Sequence, residues 1–244
     1  MGWWSKIKNA AKKVWQKTKA VVRTISRVIV EFIGRVLGIF DFLLGFVAWP
    51  QKKIRLHVVV LSQNVASPII TTKQLVPIID PIDLNDSIEF AKQHLKERFN
   101  VKLVPYGKEF IQIDNEDAPD YALNVECGTG AVSDEYNDAG EFFAKRVAGW
   151  NVIPISLTFP ITVFVVSDVK DKQGCSLGPL TDYITIDSDG VNSQTTLMHE
   201  IGHSCGLWHS KTQTNIMYSN SSRGDGAKWF QKNLLRSSRH VMYW

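Results

Sequence analysis

The sequence predicts an α/β (α+β) domain preceded by an N-terminal amphipathic helical segment. Helical periodicity continues without Pro or Gly from residue 3 to residue 33. Strand-like and helical patterns alternate from residue 54 onward, and a histidine-rich helical segment lies near residue 200. With 244 residues, of which 44% are hydrophobic, the chain can form one well-packed domain and an appendage. We therefore expect two parts, residues 1–50 and residues 51–244.

A cationic amphipathic helix is predicted for residues 1–50. Apolar residues recur at three- and four-residue steps from Trp4 to Val36, and lysines fill the other face up to Lys19. Residues 36–49 are more apolar still. Helices of this composition lie on membrane surfaces, so a membrane surface is the expected partner of this segment.

The charge distribution separates the two parts of the chain. Residues 1–53 carry eleven Lys or Arg against two acidic residues, whereas the remainder carries 17 basic against 22 acidic residues. This asymmetry predicts an attachment segment joined to a separate module. Because the basic residues are confined to one helix with an apolar opposite face, we expect no nucleic-acid partner.

Other interpretations of residues 1–50 stay open, namely a secretion or packaging signal, a cleaved signal peptide, or a helix that folds back onto the second part. A signal peptide fits less well because no small-x-small site precedes Pro50 and the basic region is long. A spanning helix is disfavoured because Glu31, Arg35 and Asp41 interrupt the run of about twenty apolar residues that a span needs.

From residue 51 onward, period-two and period-3.6 patterns alternate. Strands are predicted at 54–61, 101–104, 161–166 and 183–187. Helices are predicted at 86–99, 134–147 and 225–238, and in the histidine-rich segment up to residue 205, with Ser193 or Thr195 as its cap. Loops are predicted at 65–85, 114–135 and 170–180. His57 alternates with apolar residues of the first strand, and we expect a structural role for it.

The histidine-rich segment holds the most specific pattern in the chain. His199, Glu200, His203, Gly206 and His209 form the motif H-E-x-x-H-x-x-G-x-x-H. On a helix, His199 and His203 lie on one face and can bind one metal ion. Gly206 tolerates positive φ, so the chain can turn and bring His209 to a third ligand position. Three neutral histidines leave a fourth position for water, which is the ligand set of a catalytic Zn²⁺.

Glu200 follows His199 by one helical step, so its carboxylate can flank the metal without binding it. We expect Glu200 to act as the general base toward a zinc-bound water and then to protonate the leaving amine. Zinc would polarise the peptide carbonyl and stabilise the oxyanion. The predicted reaction is hydrolysis of peptide bonds in a protein or peptide substrate.

The motif is followed eight residues later by Met217, and together they resemble the metzincin zinc peptidases. The resemblance implies a metzincin-like catalytic domain with a twisted mixed sheet, a zinc helix and a C-terminal helix, over about residues 54–240. It also implies that Met217 forms an apolar floor beneath the zinc ligands. The closest resemblance is to matrixins and their bacterial relatives, through the pairs His209-Ser210 and Met217-Tyr218. Ser219 stands where that pattern often has proline.

The resemblance also implies how a substrate would bind. The segment around 174–183 would form a rim strand that pairs antiparallel with an extended peptide. The stretch after Met217 would wall the pocket for the side chain that follows the cut bond. Tyr218 is not expected to be a ligand, because ligating tyrosines in related branches lie two residues after the methionine.

The three cysteines and one acidic turn have secondary roles. Cys127 and Cys175 could pair in an oxidising compartment, and Cys205 is expected to be a small buried thiol. Cys127 precedes a glycine, as does the zinc-blocking cysteine of matrixin pro-segments, but it lies inside the domain, so a cysteine switch is disfavoured. The segment 187–190 invites a calcium site, yet it is too short for an EF-hand, and a turn is preferred.

Two functions from different classes remain. The first is a zinc endopeptidase tethered or delivered by residues 1–50. The second is a membrane-permeabilising protein or toxin whose N-terminal helix carries the activity and whose metzincin domain is regulatory. A zinc-binding scaffold without catalysis is disfavoured because Glu200 is present. Since an unregulated endopeptidase would damage the cytosol, we expect an extracellular or membrane-associated location.

Overall fold

One long strand, β1 (Lys52–Ala66), organises the domain by pairing with five other strands. The structure is a computed structural model that describes residues 3–44, 50–66, 73–127, 138–148 and 160–243. The other strands are β2 Lys73–Pro77, β3 Val101–Pro105, β4 Ile111–Asp117, β5 Asn124–Val125, β6 Ile161–Val165, β7 Asp168–Val169, β8 Gly174–Ser176, β9 Tyr183–Ile186 and β10 Val241–Met242.

The helices cover both faces of this sheet. They are α1 Trp3–Leu44, α2 Asn85–His94, α3 Asp120–Leu123, α4 Asp138–Arg146, α5 Ser188–Asn192, α6 Thr196–Ser204 and α7 Trp229–Arg236. A 3₁₀ turn (Pro81–Leu84) precedes α2, and a π-helical turn (Leu95–Phe99) continues it. The predicted helix at 86–99 is therefore present, although its last turn is π-helical.

The sheet is mixed. Its main path runs β10-β1-β6-β9-β8, in which β1, β6 and β9 are parallel and the outer strands β10 and β8 are antiparallel to their neighbours. The parallel strands are nearly continuous apolar runs because helices cover both of their faces. This arrangement confirms the predicted α/β class with a mixed sheet and accompanying helices.

Two apolar cores lie on opposite faces of the sheet. One contains β1 side chains such as Leu56 and Val58 together with Leu197 and Ile201 of α6. The other contains the aromatic ring of Phe143 from α4, packed 4.7 Å from the ring of Phe164. The first core fixes the position of α6 against the sheet, and therefore the position of the histidine motif.

Several predicted loops contain strands instead. The loop predicted at 65–85 includes β2, which pairs antiparallel with the end of β1, and the loop predicted at 114–135 begins with the last residues of β4. Both strands are largely exposed, so they lack the apolar alternation that marks a half-buried strand. The loop predicted at 170–180 contains the three-residue strand β8, which is too short to show a period.

Two predicted helices differ in their bounds. The helix predicted at 134–147 is described as α4 over Asp138–Arg146, and residues 134–137 lie outside the described residues. The helix predicted at 225–238 is shorter, because the backbone is extended at Lys228, which caps α7. Residues 45–49 of the predicted apolar stretch also lie outside the described residues.

The helix α1 packs on the domain through its second half. Arg27 and Glu31 are buried there, and a Cβ at Gly38 would lie only 2.1 Å from the Cβ of Ser237. Its first half carries exposed aromatic side chains, including Trp4 and Trp15. Among the described residues, no helix combines the length and the apolar character needed to cross a bilayer.

Candidate active site

The helix α6 carries the first two histidines of the motif on one face. It begins after Thr195, which occupies the cap position without a side-chain cap bond, so Thr195 rather than Ser193 is the N-cap residue. The helix ends at Ser204 with Cys205 as its C-cap residue, and Gly206 then adopts a φ of +84°. Only glycine adopts this left-handed conformation at low cost, and the resulting turn returns the chain toward α6.

The turn brings the three histidines together. The Nε2 atom of His203 lies 3.1 Å from that of His199 and 3.1 Å from that of His209. Two ligands of a tetrahedral zinc with bond lengths of about 2.0–2.1 Å lie about 3.3 Å apart. Ligand atoms of the three rings all lie within 4.8 Å of one another. The spacing therefore fits one small divalent cation.

The other ring nitrogens fix the direction of the lone pairs. His199 donates from Nδ1 to the carbonyl oxygen of Ile216 at 2.9 Å, and His203 donates from Nδ1 to that of Leu207 at 2.8 Å. With the proton on Nδ1, the Nε2 atoms of both rings present lone pairs to each other. Lone pairs at this distance repel unless a cation lies between them, so the donor set fits Zn²⁺.

The histidines are held in the neutral form that binds metal. Burial, assisted by the positive charge of Arg223, lowers the pKa of His199 to about 3 and that of His203 to about 4. Burial also lowers the pKa of His209, which is more exposed. At neutral pH the three imidazoles are therefore ready to coordinate without losing a proton first.

Glu200 lies in the wall of the same cleft, buried against β8. Burial raises the pKa of its carboxyl to about 7, although the positive charges of Arg223 and Lys172 and the backbone of Ser176 act in the opposite direction. A Cβ at Gly174 would lie 3.1 Å from the Cγ atom of Glu200, so the rim strand approaches this side chain closely. A carboxyl group with a pKa near neutrality can both take up and release a proton.

Met217 lies directly beneath α6. Its side chain is fully buried, and a Cβ at Gly202 would lie 2.5 Å from its sulfur. The backbone amide of Met217 donates to Oδ1 of Asn215 at 2.9 Å, and the amide group of Asn215 donates to Gln231 of α7 at 2.9 Å. The packing role of Gly202 was not predicted from the sequence. The available signal was the glycine itself, because a glycine inside a helix indicates close packing.

The histidines and Glu200 line one open cleft of about 520 Å³. The rim strand β8 lines this cleft, and residues 219–221 and Arg223 also contribute to its lining. Arg223 is the second residue that the sequence pattern missed. Its position in a polar loop carries no periodic signal, and only the folded loop brings it to the site.

The remaining predicted features have structural roles. Cys127 and Cys175 form a disulfide with a Cα–Cα distance of 6.2 Å, so the sulfur of Cys127 is not a free ligand. Cys205 is a buried free thiol, and burial raises its pKa to about 12. Asp187 caps α5 by accepting a hydrogen bond at 2.7 Å from the Gly190 amide. His57 lies in β1, and its Nε2 is 3.0 Å from Oε1 of Gln112.

Two solved structures show a distant similarity to this chain. Metalloproteinase-II from Bacteroides fragilis is 14% identical, with a TM-score of 0.43, and the match covers 72% of this chain and 50% of that chain. The chain therefore spans about half the length of that protein. Archaemetzincin from Methanopyrus kandleri is 11% identical, with a TM-score of 0.41, and the match covers 75% of this chain and 94% of that chain.

Sequence comparisons give a family assignment. A search of curated protein sequences finds no match to the chain. The family model described as Matrixin matches residues 87–232, which include the whole histidine motif and Met217. Because this match covers more than half of the chain, the protein belongs to the matrixin family of zinc metallopeptidases.

Proposed function

We propose that the protein is a zinc-dependent endopeptidase in which Glu200 is the general base and His199, His203 and His209 hold the metal. One observation carries the proposal: three neutral imidazoles converge beside a buried carboxyl group whose pKa is about 7. A structural zinc site would fill its fourth position with a protein ligand, whereas this site opens into a cleft.

Zinc, when bound, supplies Lewis-acid chemistry: it lowers the pKa of a water molecule and polarises the carbonyl of the substrate. Glu200 would accept a proton from the attacking water molecule. As the carbon–nitrogen bond breaks, Glu200 gives the proton to the departing amine. The Nδ1 bonds of His199 and His203 to backbone carbonyls keep both rings oriented throughout.

The rim strand β8 would orient the substrate. Among the described residues it is the last strand on its side of the main sheet path, and β9 pairs with one of its edges. An extended peptide can add to the other edge as an antiparallel strand. Gly174, which lies on this strand, leaves the peptide close to Glu200 because it carries no side chain.

The test uses the full chain loaded with zinc and a quenched-fluorescent peptide library. We expect cleavage by the wild type and a loss of about 100-fold or more in Glu200→Gln, which keeps its zinc because the histidines are intact. Glu89→Gln, an exposed change on α2, is the matched control and should keep full activity. Stoichiometric zinc without cleavage of any peptide would refute the proposal.

A second proposal concerns the helix α1, which we infer binds an anionic membrane surface. Its first half presents Trp3, Trp4 and Trp15 to solvent, together with a row of exposed lysines. Interfacial aromatic rings and lysines act together at lipid headgroups. The Cys127–Cys175 disulfide favours an oxidising compartment, which supports an extracellular or membrane-associated location.

Vesicles of phosphatidylcholine with and without phosphatidylglycerol test this proposal. Each surface lysine contributes about 1 kcal/mol to binding anionic lipid. Glutamate in place of Lys6, Lys8, Lys12 and Lys13 should therefore abolish binding. The control places glutamate at four exposed lysines of the catalytic part, which changes the net charge equally: Lys73, Lys96, Lys108 and Lys211.

The same vesicles, loaded with a fluorescent dye, separate attachment from permeabilisation. Binding without dye release supports a tethered peptidase. Dye release by the wild type and by Glu200→Gln alike would favour the alternative, a membrane-active protein in which the peptidase domain is regulatory. Equal binding by both quadruple variants would contradict a role for α1 at membranes.

A further inference from the structure

We propose that Arg223 forms a carboxylate-binding subsite in the active cleft, so that the enzyme cleaves next to a substrate carboxylate. The carboxylate belongs either to an Asp or Glu side chain adjacent to the cut bond or to the free C-terminus of a short substrate. The inference rests on the proposed peptidase function and specifies its substrate class.

Arg223 lies in the cleft with the motif residues. It lines the same space as Glu200 and the three histidines. Its positive charge acts on the carboxyl of Glu200 and on the rings of His199, His203 and His209. A substrate that reaches Glu200 therefore passes within the field of this guanidinium.

Hydrogen bonds from Nε and Nη1 hold the guanidinium of Arg223 in place. Its Nε donates to the carbonyl oxygens of Tyr218 and Asn220, each at 3.2 Å, and Nη1 lies 3.4 Å from Oγ1 of Thr196. Nη2 donates to no atom of the residues that the structure describes. An arginine fixed in this way loses little entropy on binding and offers the geometry for a carboxylate.

The charge of Arg223 is not paired within the described part of the chain. Arg27, Arg98 and Arg146 each form an ion pair with an aspartate, but no carboxylate of a described residue lies within ion-pair distance of Arg223. Partial burial lowers the pKa of Arg223, and only the charge of Glu200 opposes that effect. A half-buried guanidinium without a counter-ion is a ready partner for an anion.

Two other charged residues of the cleft also affect which substrate group can bind near Arg223. The exposed Lys172 also lines the cleft and adds a second positive charge that acts on Glu200 and His209. Asp171 also lines the cleft, and because Asp171 and Lys172 are both exposed, solvent screens both of their charges. The half-buried Arg223 is therefore the charge that solvent screens least among these three, and it favours an anionic group.

The wall around Arg223 is polar. Thr196, Ser219, Asn220 and Ser221 contribute hydroxyl and amide groups to the cleft. An apolar substrate side chain would remove water from these groups and from Arg223 without replacing its hydrogen bonds, which is costly. A carboxylate replaces that water with charge-assisted hydrogen bonds, so this wall discriminates by charge rather than by size.

The experiment uses the zinc-loaded full chain and peptides that differ at one position next to the cut bond. We expect kcat/KM to be about 10- to 100-fold higher for Glu than for Gln, because hydrogen bonds to charged groups contribute strongly. In Arg223→Gln this ratio should fall to about one, since the partner of the carboxylate is gone. Arg98→Gln, which changes an arginine that does not line the cleft, should keep the wild-type ratio.

Two further variants separate recognition from a structural role. Arg223→Lys keeps the charge but loses the planar fork, so a reduced preference for Glu is expected. Arg223→Glu should reverse the preference toward Lys peptides. A loss of rate that is equal for Glu, Gln and Lys peptides would assign Arg223 to loop structure or to transition-state stabilisation and overturn the proposal.

Free and amidated C-termini distinguish the two sources of the carboxylate. If amidation removes the preference, the subsite binds chain ends; if internal Glu peptides keep it, the subsite binds side chains. Equal cleavage of Glu and Gln peptides in both formats overturns this inference and leaves the peptidase function intact.

Binding to zinc-loaded Glu200→Gln, measured by fluorescence anisotropy, gives a second readout that does not require turnover. Tighter binding of Glu than Gln peptides supports the subsite even if cleavage of every peptide fails. Equal binding of both overturns it.

Discussion

Arg35 donates from Nη2 to the carbonyl oxygen of Cys205 at 2.9 Å, which joins α1 to the C-cap residue of α6. The same guanidinium bonds Oγ of Ser237 at 2.7 Å and the carbonyl of Leu234, and it pairs with Glu31 one turn earlier in α1. Cations at a helix C-terminus satisfy its free carbonyls. The docking of α1 is therefore coupled to the end of the helix that carries the motif.

Arg35→Ala should weaken this docking. Each lost hydrogen bond to a charged group costs about 1.5–3 kcal/mol, so we expect the free energy of unfolding to fall by about 2–4 kcal/mol. Urea unfolding measures the loss, and hydrogen exchange should show earlier opening at α1 and at the end of α6. Lys17→Ala, on the exposed half of α1, is the control and should change stability little. Unchanged exchange at α6 in Arg35→Ala would contradict the coupling.

Stability should depend on pH through His94. Burial lowers the pKa of His94 from 6.5 to about 4, although Asp225 and Glu97 act against this effect. Between pH 6.5 and 4 the unfolded chain binds a proton that the folded chain does not, so stability falls as the pH drops through this window. The loss is on the order of 3 kcal/mol.

The variant His94→Leu isolates this effect, because it removes the titrating ring from its place beside Phe90 and Phe99. Denaturant unfolding of both proteins at several pH values gives the difference in stability. The free energy of unfolding of the variant should rise relative to that of the wild type as the pH is lowered from 6.5 to 4. A difference that stays constant over that range would show that His94 keeps an ordinary pKa in the folded protein.

Gly202→Ala should displace the side chain of Met217 and so disturb the histidine site. An alanine normally stabilises a helix by up to about 1 kcal/mol relative to glycine. Here the added Cβ would lie 2.5 Å from the sulfur of Met217, so the methionine must move and disturb the floor under the histidines. We expect a net loss of about 1–3 kcal/mol and weaker zinc retention.

Thermal unfolding and zinc content after dialysis measure both effects of Gly202→Ala. Gly107→Ala is the matched control, since a Cβ there meets no atom within 4 Å. The control should keep its zinc and its melting temperature. Full zinc retention by Gly202→Ala would argue that Met217 does not support the ligands.

The Cys127–Cys175 disulfide should support both stability and substrate binding. It closes a loop with a sequence separation of 48, for which loop entropy predicts a contribution of about 4 kcal/mol. Cys175 lies in the rim strand β8, so its release should also raise KM for peptides more than it lowers kcat.

Changing both cysteines to serine tests this, with unfolding and steady-state kinetics as readouts. A reductant should reproduce the result in the wild type and have no further effect in the double variant. Unchanged KM in the double variant would separate the disulfide from the substrate rim.

The parts that sequence predicted well depend on local spacing. The convergence of the three histidines follows from helical spacing and from the turn at Gly206, and the parallel strands are identified by their apolar runs. The parts that it missed depend on long-range contacts or on exposure. Arg27 of α1 and Asp182 lie 155 positions apart, and their buried ion pair has no local signature. The exposed strands β2 and β4 are stabilised by pairing with β1, so their sequences do not show apolar alternation.

The length of α1 has a consequence for how the enzyme would meet its substrates. A helix of 42 residues is about 63 Å long, and the buried side chains among its described residues, Arg27 and Glu31, lie in its second half. If the first half of α1 binds a lipid headgroup layer as proposed, the catalytic cleft would be held at a set height above that layer. Encounters would then occur by diffusion in a plane, so the protruding parts of neighbouring membrane proteins would meet the cleft more often than proteins in free solution.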